Sequence, residues 1–403
     1  MRSGRDFPLL LWATAFAFAG FAPLLSVVPL WTADGGAGSG GVGATTGVLM
    51  GATVATQLAM PRLLRVLSLR RASMLGALLL GAPTFAYLVS SAVGWVLLVS
   101  AVRGVGFGLL VVAGSALVAE LVPPERRGRG LGAYGVAIGA PQALLLPVGV
   151  WAAEHLGFAV VFVTAGGAGV LGAVVMAGVR ERDRRGDPSA VGPLEEDPAE
   201  VVGGPVRYRT LAGSGVLLLV AACAFGGTTS FVPLAFPAAT ASLVLLAVSV
   251  TMTAGRWWAG VRADSEGVGG LLPFGVGACA VGTLAIAGAA GLLEGTSALV
   301  LASAGGLLYG LGFGALQNDT LVLMFREAGP AGTGMASAAW NIAYDGGTGA
   351  GSLGVGFVAQ GVGVSGALGL SAVPLLVLLP HAVRRSRGAR GLLGRRRGPR
   401  RDV

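Results

Sequence analysis

Residues 309–347 read YGLGFGALQNDTLVLMFREAGPAGTGMASAAWNIAYDGG, and this stretch decides the fold. Two apolar runs flank a short polar turn, and each extends toward the roughly 20 residues that a helix needs to cross a bilayer. Within them stand Asp319, Asn341 and Asp345, among neighbours that are hydrocarbon. A charge at the centre of a membrane helix costs roughly 2.5–3.5 kcal/mol on insertion scales, so such groups face a bundle interior or an aqueous cavity. They are therefore the first candidates for function.

Working outward, the stretch has an echo. A shift of 206 positions lays it on residues 103–139, RGVGFGLLVVAGSALVAELVPPERRGRGLGAYGVAIG. Gly310, Gly312, Phe313, Gly314 and Leu316 then fall on Gly104, Gly106, Phe107, Gly108 and Leu110, and Pro330, Gly334, Ala339 and Ala343 on Pro124, Gly128, Ala133 and Ala137. The match keeps its direction, which reads as an internal duplication with both copies oriented alike.

Composition sets the class. Of 403 residues 54% are hydrophobic and only 12% charged, against about 25% charged in a soluble domain, so the chain is an integral membrane protein. The 70 glycines agree with helices, because small residues let membrane helices approach closely. A barrel would show short alternating strands instead. The net charge of +9 resides in short loops and a tail, a placement explained by membrane orientation, so no nucleic-acid partner is expected. Cys223 and Cys279 lie in apolar spans and read as small buried hydrophobes, without a disulfide or metal framework. No lysine occurs, hence no Gly-Lys phosphate signature for ATP-driven pumping. His155 and His381 stand near opposite ends of spans, with no cluster of His, Cys and acid, so neither an enzyme nor a cofactor is expected.

Six apolar spans are expected at about 7–31, 44–64, 72–90, 95–122, 130–153 and 158–179. The first, preceded by Arg2 and Arg5, has the flanks of a signal peptide but too long an apolar run, and is read as a helix. Residues 180–209, rich in Arg, Asp, Glu and Pro, read as a flexible linker. Six more spans follow at about 210–236, 238–258, 269–293, 298–325, 332–361 and 364–383. The expected fold is an all-α membrane protein with twelve transmembrane helices in two pseudo-symmetric six-helix bundles. Residues 1–179 form the amino-terminal bundle, 180–209 the linker, 210–383 the carboxy-terminal bundle and 384–403 a basic tail.

Arginine placement gives the orientation. Arg62, Arg65, Arg70, Arg71, Arg126, Arg127, Arg129, the linker, Arg262, Arg326 and the tail fall on one side, while the loops around Gly35, Val93, His155, Pro237, Glu294 and Gly363 hold none. Positive charge stays inside, so both termini are expected in the cytoplasm of a cell whose plasma membrane the chain crosses. Trp31, Trp95 and Trp151 then mark the outer interface as lipid-facing anchors. The tail is expected to bind anionic headgroups, at about 1 kcal/mol per arginine.

Six plus six spans with like-oriented repeats are the pattern of transporters whose halves are related by an axis along the membrane normal. From residue 7 to 383 the chain resembles the major facilitator superfamily. That family carries a loop signature G-x-x-x-D-R-x-G-R-R after its second helix and a weaker copy after its eighth. Here Gly260, Asp264 and Gly267 keep the second copy in part, whereas Pro61, Arg65 and Ser68 replace glycine, aspartate and glycine in the first, with Arg70 alone in register. The resemblance implies a cytoplasmic gate in which Asp264 meets Arg127 or Arg129; the alternative is a solvated loop acid, since exposed pairs are worth about 0–1 kcal/mol. Because the first copy lacks its acid, a swapped pair of Arg65 or Arg70 with Glu327 is expected.

Arg103, followed by Gly104, Gly106 and Gly108, resembles the family's fourth-helix signature, in which an arginine assists proton movement; structural pairing is the alternative. Residues 132–151, with Gly139, Pro147 and Gly149, resemble the bendable fifth helix of drug and metabolite antiporters. Residues 337–356 resemble the arabinose-efflux-like branch.

A carboxyl group is favoured neutral in a low-dielectric cavity and ionises when wetted. Asp345 is thus read as the proton-linked acid with Arg103 as its modulator, or else as a hydrogen-bonded structural acid. Asn341 precedes it by one helical turn and shares its face. Asn341, Trp340, Asn318, Gln317 and Asp319 are the expected substrate contacts of the carboxy-terminal half, with a gate role the alternative for Asp319, and Gln57 and Gln142 those of the other half, with an interhelical hydrogen bond the alternative for each. The expected function is proton-coupled export of a small, fairly lipophilic organic compound by a monomer. Proton-linked uptake of a metabolite and a non-transporting sensor or scaffold are the alternatives.

Overall fold

The computed structural model describes residues 5–123, 126–180, 208–266, 268–329 and 332–396, all helices and short connections. Helices α1 (Asp6–Phe21) and α2 (Leu24–Asp34) are one apolar run interrupted at Ala22 and Pro23, where proline brings no N–H to the helix ladder. Then come α3 (Ser39–Leu63) and α4 (Leu69–Gly81), the latter opened by the Ser68 hydroxyl, which accepts the Arg71 N–H. The chain tightens after Gly81 into a 3₁₀ turn, Ala82–Leu88, that has proline in its first turn. Helices α5 (Val93–Leu121), α6 (Arg127–His155) and α7 (Phe158–Ala177) complete the first half. The second half holds α8 (Tyr208–Ala235), α9 (Ala238–Glu266), α10 (Leu272–Leu292), α11 (Gly295–Ala328), α12 (Thr333–Leu370) and α13 (Val373–Arg396).

Among the described residues ten stretches are long and apolar enough to cross a membrane. The count departs from the expected spans at two places, each with a local cause. The expected span 72–90 is α4 plus the 3₁₀ turn, and the α-helical part has only 13 residues. The last two expected spans run on as one stretch, Thr333–Gly388, broken at Gly363, whose φ of +73° is open to glycine and costly for other residues. The linker and residues 397–403 of the tail lie outside the described residues, apart from the helical residues from 208 onward.

The duplicated glycines explain the packing inside each half. Helix α5 lies parallel to α3, and a Cβ at Gly104 or Gly108 would collide with the Leu49 or Thr53 carbonyl. Helix α11 lies parallel to α9 in the same way, with Gly310 against the Val248 carbonyl and Gly314 against that of Met252. In a membrane, lipid is as apolar as any side chain, so close backbone approach through small residues carries the association.

Between the halves, α3 packs on α12, α6 on α9 and α2 on α8. Away from the chain termini one hydrophobic core is shared, including Leu25, Val42 and Met50 with Phe231, Val244 and Val355. Toward the termini the cores are separate: Leu10, Met60, Leu117 and Met176 belong to one half, and Leu217, Leu272, Leu323 and Leu375 to the other. The halves are joined on one side and part on the other.

The expected tryptophan anchors divide. Trp151 is exposed and stacks on His155, but Trp95 donates to the Ala86 carbonyl at 2.6 Å and Trp31 packs on Phe158 and Phe162. A backbone acceptor for Trp95 and aromatic partners for Trp31 draw these two into the bundle.

Candidate functional site in the cleft between the halves

The contact of α3 with α12 is an antiparallel seam. It starts where Gly40 faces Gln360 and Gly43 faces Gly356. The Ser352 hydroxyl donates to the Gly43 carbonyl at 3.1 Å and lies 2.8 Å from the Ser230 hydroxyl, which in turn meets Thr46 at 3.1 Å. Ser26 donates to the Thr229 carbonyl at 2.8 Å. These residues are buried, where an unmet hydroxyl would cost free energy, so the polar seam fixes the register of the two halves.

The seam ends at Asp345. Gln57 Nε2 of α3 donates to its Oδ2 at 2.7 Å, and the two side chains are buried, with Asp345 4% exposed. There the halves separate, and Asn341, Tyr344 and Gln142 are left partly exposed between them.

An aromatic stack backs the carboxy-terminal side of this cleft, with Tyr344 half-buried at its edge and Trp340 and Phe313 buried behind it. Trp340 and Tyr344, one helical turn apart, stack at 5.6 Å and 16°, and Tyr344 stacks on Phe313 at 5.8 Å and 13°. Trp340 donates to the Thr320 hydroxyl at 3.2 Å, which fixes the indole. From the opposite half, Gln142 of α6 faces the Tyr344 hydroxyl. Asn341 donates to the Ser337 carbonyl at 2.9 Å and shares the face of Asp345.

The stack is capped by a residue absent from the sequence-based candidates. Arg256 of α9 donates from Nη1 to Gln317 Oε1 at 3.3 Å, and its guanidinium lies 5.8 Å from the centre of the Trp340 ring. With the eighth span expected to end at residue 258, Arg256 falls at the bilayer edge. The helix instead continues to Glu266, which at 1.5 Å per residue adds roughly 15 Å beyond Arg256 and sets the cation at the depth of the cleft. The signal was available: an arginine within an apolar run.

Residues 10–352 match the family model of the Major Facilitator Superfamily. The chain belongs to this superfamily. It is a multi-pass membrane transporter, a class whose members bind small molecules. Its fold is similar to that of a peptide transporter solved with alafosfalin, with a TM-score of 0.69 and 17% identity over 94% of this chain and 95% of that one. A bacterial homologue of the human lysosomal transporter Spinster, solved inward-facing and unoccupied, gives 0.73 and 14%, covering 96% and 97%. The nucleoside transporter NupG gives 0.67 and 12%, covering 95% and 99%. No curated protein matches the sequence.

Within this facilitator the expected site residues are only partly brought together. Asp345, Gln57, Gln142, Asn341, Trp340 and Gln317 meet at the cleft as described. Asn318 sits beside them on α11, half-buried, with its Nδ2 unpartnered. Asp319 turns away, because its carboxylate accepts the Leu271 N–H at 2.9 Å and so caps the start of α10 from a neighbouring helix. Arg103 does not reach Asp345. It is fully buried inside its own bundle, donating from Nε to the Leu80 carbonyl at 3.1 Å and from Nη1 to the Tyr87 hydroxyl at 3.4 Å, so its pairing is structural.

The swapped gate pair is not formed. Glu327 bonds Arg385 at 2.6 Å, because α13 brings the tail alongside the end of α11. Arg70 donates to the Ala177 carbonyl at 2.6 Å and Arg65 is exposed. Of the other expected gate, the Asp264 and Arg127 side chains lie outside the described residues, Arg129 is exposed, and Gly260 packs near Asn318.

Proposed function

We propose that this facilitator is a proton-coupled secondary transporter of a small organic compound, with Asp345 as the proton carrier. Two units, residues 1–179 and 210–383, rock about the cleft and are tied by the 180–209 linker. Each chain holds a complete cleft, so the monomer is the working unit. Both termini face the cytoplasm of a plasma membrane, and the basic tail rests on anionic headgroups.

The observation that carries this reading is the bond from Gln57 to Asp345, since the acid and its partner belong to opposite halves and close the polar seam. Gln57 Oε1 is buried without a partner. The amide therefore suits either form of the acid: its NH₂ donates to a carboxylate, and its free oxygen accepts from a protonated carboxyl. Protonated, Asp345 is satisfied on both sides and the seam stays shut. Ionised, it is a buried charge held by one amide, and opening the seam to water relieves the cost. Proton binding thus biases which face of the cleft is open, which is the requirement for alternating access.

Export of a small lipophilic compound in exchange for protons follows the resemblance of the fifth and eleventh helices. Proton-linked uptake is the second reading, and Arg256 favours it for the reason given below. In reconstituted vesicles with an imposed pH gradient, Asp345→Asn should abolish gradient-driven flux while leaving substrate counterflow in place. Gradient-driven flux equal to that of the native protein would overturn the assignment.

A further inference from the structure

The proton-coupling reading leaves Arg256 unused. Among the described residues its guanidinium makes a single direct hydrogen bond, to a neutral amide, and pairs with no carboxylate. The described acids on the two helices that flank it are engaged elsewhere: Asp345 by Gln57, Asp319 by the Leu271 N–H and Glu327 by Arg385. A cation at membrane depth without a counter-ion is costly, and such residues mark substrate or ion pathways.

The neighbouring groups share its polarity. Nε and Nη2 of Arg256 have no partner among the described residues. Gln317, 2% exposed, spends its oxygen on Arg256 and leaves Nε2 buried and unpartnered. Asn318 Nδ2 is unpartnered as well. This corner of the cleft holds donors in excess of acceptors, and beside it stands the half-buried Tyr344 ring, stacked on the buried Trp340 and Phe313 rings.

We propose that Arg256 is the anchor for a carboxylate, and that the transported compound is an organic monoanion with a planar, apolar body. A guanidinium fork binds carboxylate in a bidentate manner, even while one face rests on an aromatic ring. The body lies against the Tyr344 edge of the aromatic stack. Here the inference rests on the reading of Asp345 as the proton carrier and extends it. An anion on Arg256 and a proton on Asp345 each offset charge introduced by the other, so they bind cooperatively and travel in the same direction.

The test uses the purified full-length protein and two matched pairs, benzoate with benzamide and indole-3-acetate with indole-3-acetamide, read by thermal stabilisation. The acids should stabilise the native protein at concentrations where the amides do not. Arg256→Gln should weaken acid binding by about tenfold or more, the loss of a charge-assisted hydrogen bond, while Arg256→Lys retains part of it and Asp345→Asn keeps it. Equal response to acid and amide, an acid preference that survives Arg256→Gln, or no response to either pair would each overturn the proposal. So would stabilisation through Arg256 by phosphatidylglycerol alone, which would assign the cation to lipid. Acid binding without proton coupling would refute only the role of Asp345, and proton coupling with a preference for amides only that of Arg256.

Discussion

Each half of the molecule carries an arginine inside an apolar span, and the two are used in opposite ways. Arg103 is fully buried and lies 5.6 Å from the centre of the Tyr87 ring. It supplies a donor to the Leu80 carbonyl, where the α-helical ladder of α4 gives way to a 3₁₀ turn. In the repeat its place is taken by Tyr309, whose hydroxyl donates to the Ala221 carbonyl at 2.8 Å. Both halves thus use a polar tip at this position to tie the glycine-rich helix to a neighbour's backbone. Arg256 has no such post and points into the cleft. The comparison teaches that depth alone does not mark a functional charge. What separates the two is whether the surrounding backbone offers acceptors.

The harshest way to test the common part of the comparison is Gly314→Leu. Its Cβ would meet the Met252 carbonyl, and backbone cannot move aside cheaply. Overpacking of about 3 kcal/mol or more is expected, seen as loss of monodisperse protein on size exclusion. Gly334→Ala, where nothing lies within 4 Å, should elute like the native protein. A normal yield of Gly314→Leu would break the parallel pairing inferred from the repeat.

Next in size is the contrast between the arginines themselves. Arg103→Ala should lower thermal stability by about 2–4 kcal/mol, since it removes one donor each from the Leu80 carbonyl and the Tyr87 hydroxyl and opens a void. Arg256→Ala should change stability by less than about 0.5 kcal/mol yet remove transport of the anion. If both variants lost stability equally, the distinction drawn above would fail.

A smaller effect is expected at the seam. Gln57→Leu keeps the acid but removes its partner in the opposite half, so gradient-driven flux should fall by about five- to tenfold, the value of one hydrogen bond. The smallest concerns Glu327, whose side chain is 19% exposed against Arg385. Glu327→Gln should cost about 1 kcal/mol or less, and vesicle flux should be unchanged, because both residues belong to the carboxy-terminal half. A large loss of flux would restore a gating role for Glu327.

Much of the fold was legible in the chain because its signals are local. An apolar run of sufficient length specifies a span wherever it occurs, and glycines at fixed spacing specify where two backbones touch, as Gly104 with Gly108 and Gly310 with Gly314 do. The breaks were less legible: proline after Gly81 and the positive φ of Gly363 reshape spans without altering their hydropathy. Asp345 stood out because a carboxylate in hydrocarbon is rare on energetic grounds. Arg256 did not, since its depth depended on where α9 ends.

By itself the sequence determined a helical membrane protein, its duplication and the acid most suited to carry a proton, all properties of residue type and short-range spacing. Only the tertiary structure decided the partners: Gln57 for Asp345, 288 positions away, Arg385 rather than Arg65 or Arg70 for Glu327, and Leu80 rather than Asp345 for Arg103. Several residues of the right chemistry were available in each case. A hydrogen bond acts over about 3 Å, and the choice among equivalent partners is made by helix packing that no local pattern records.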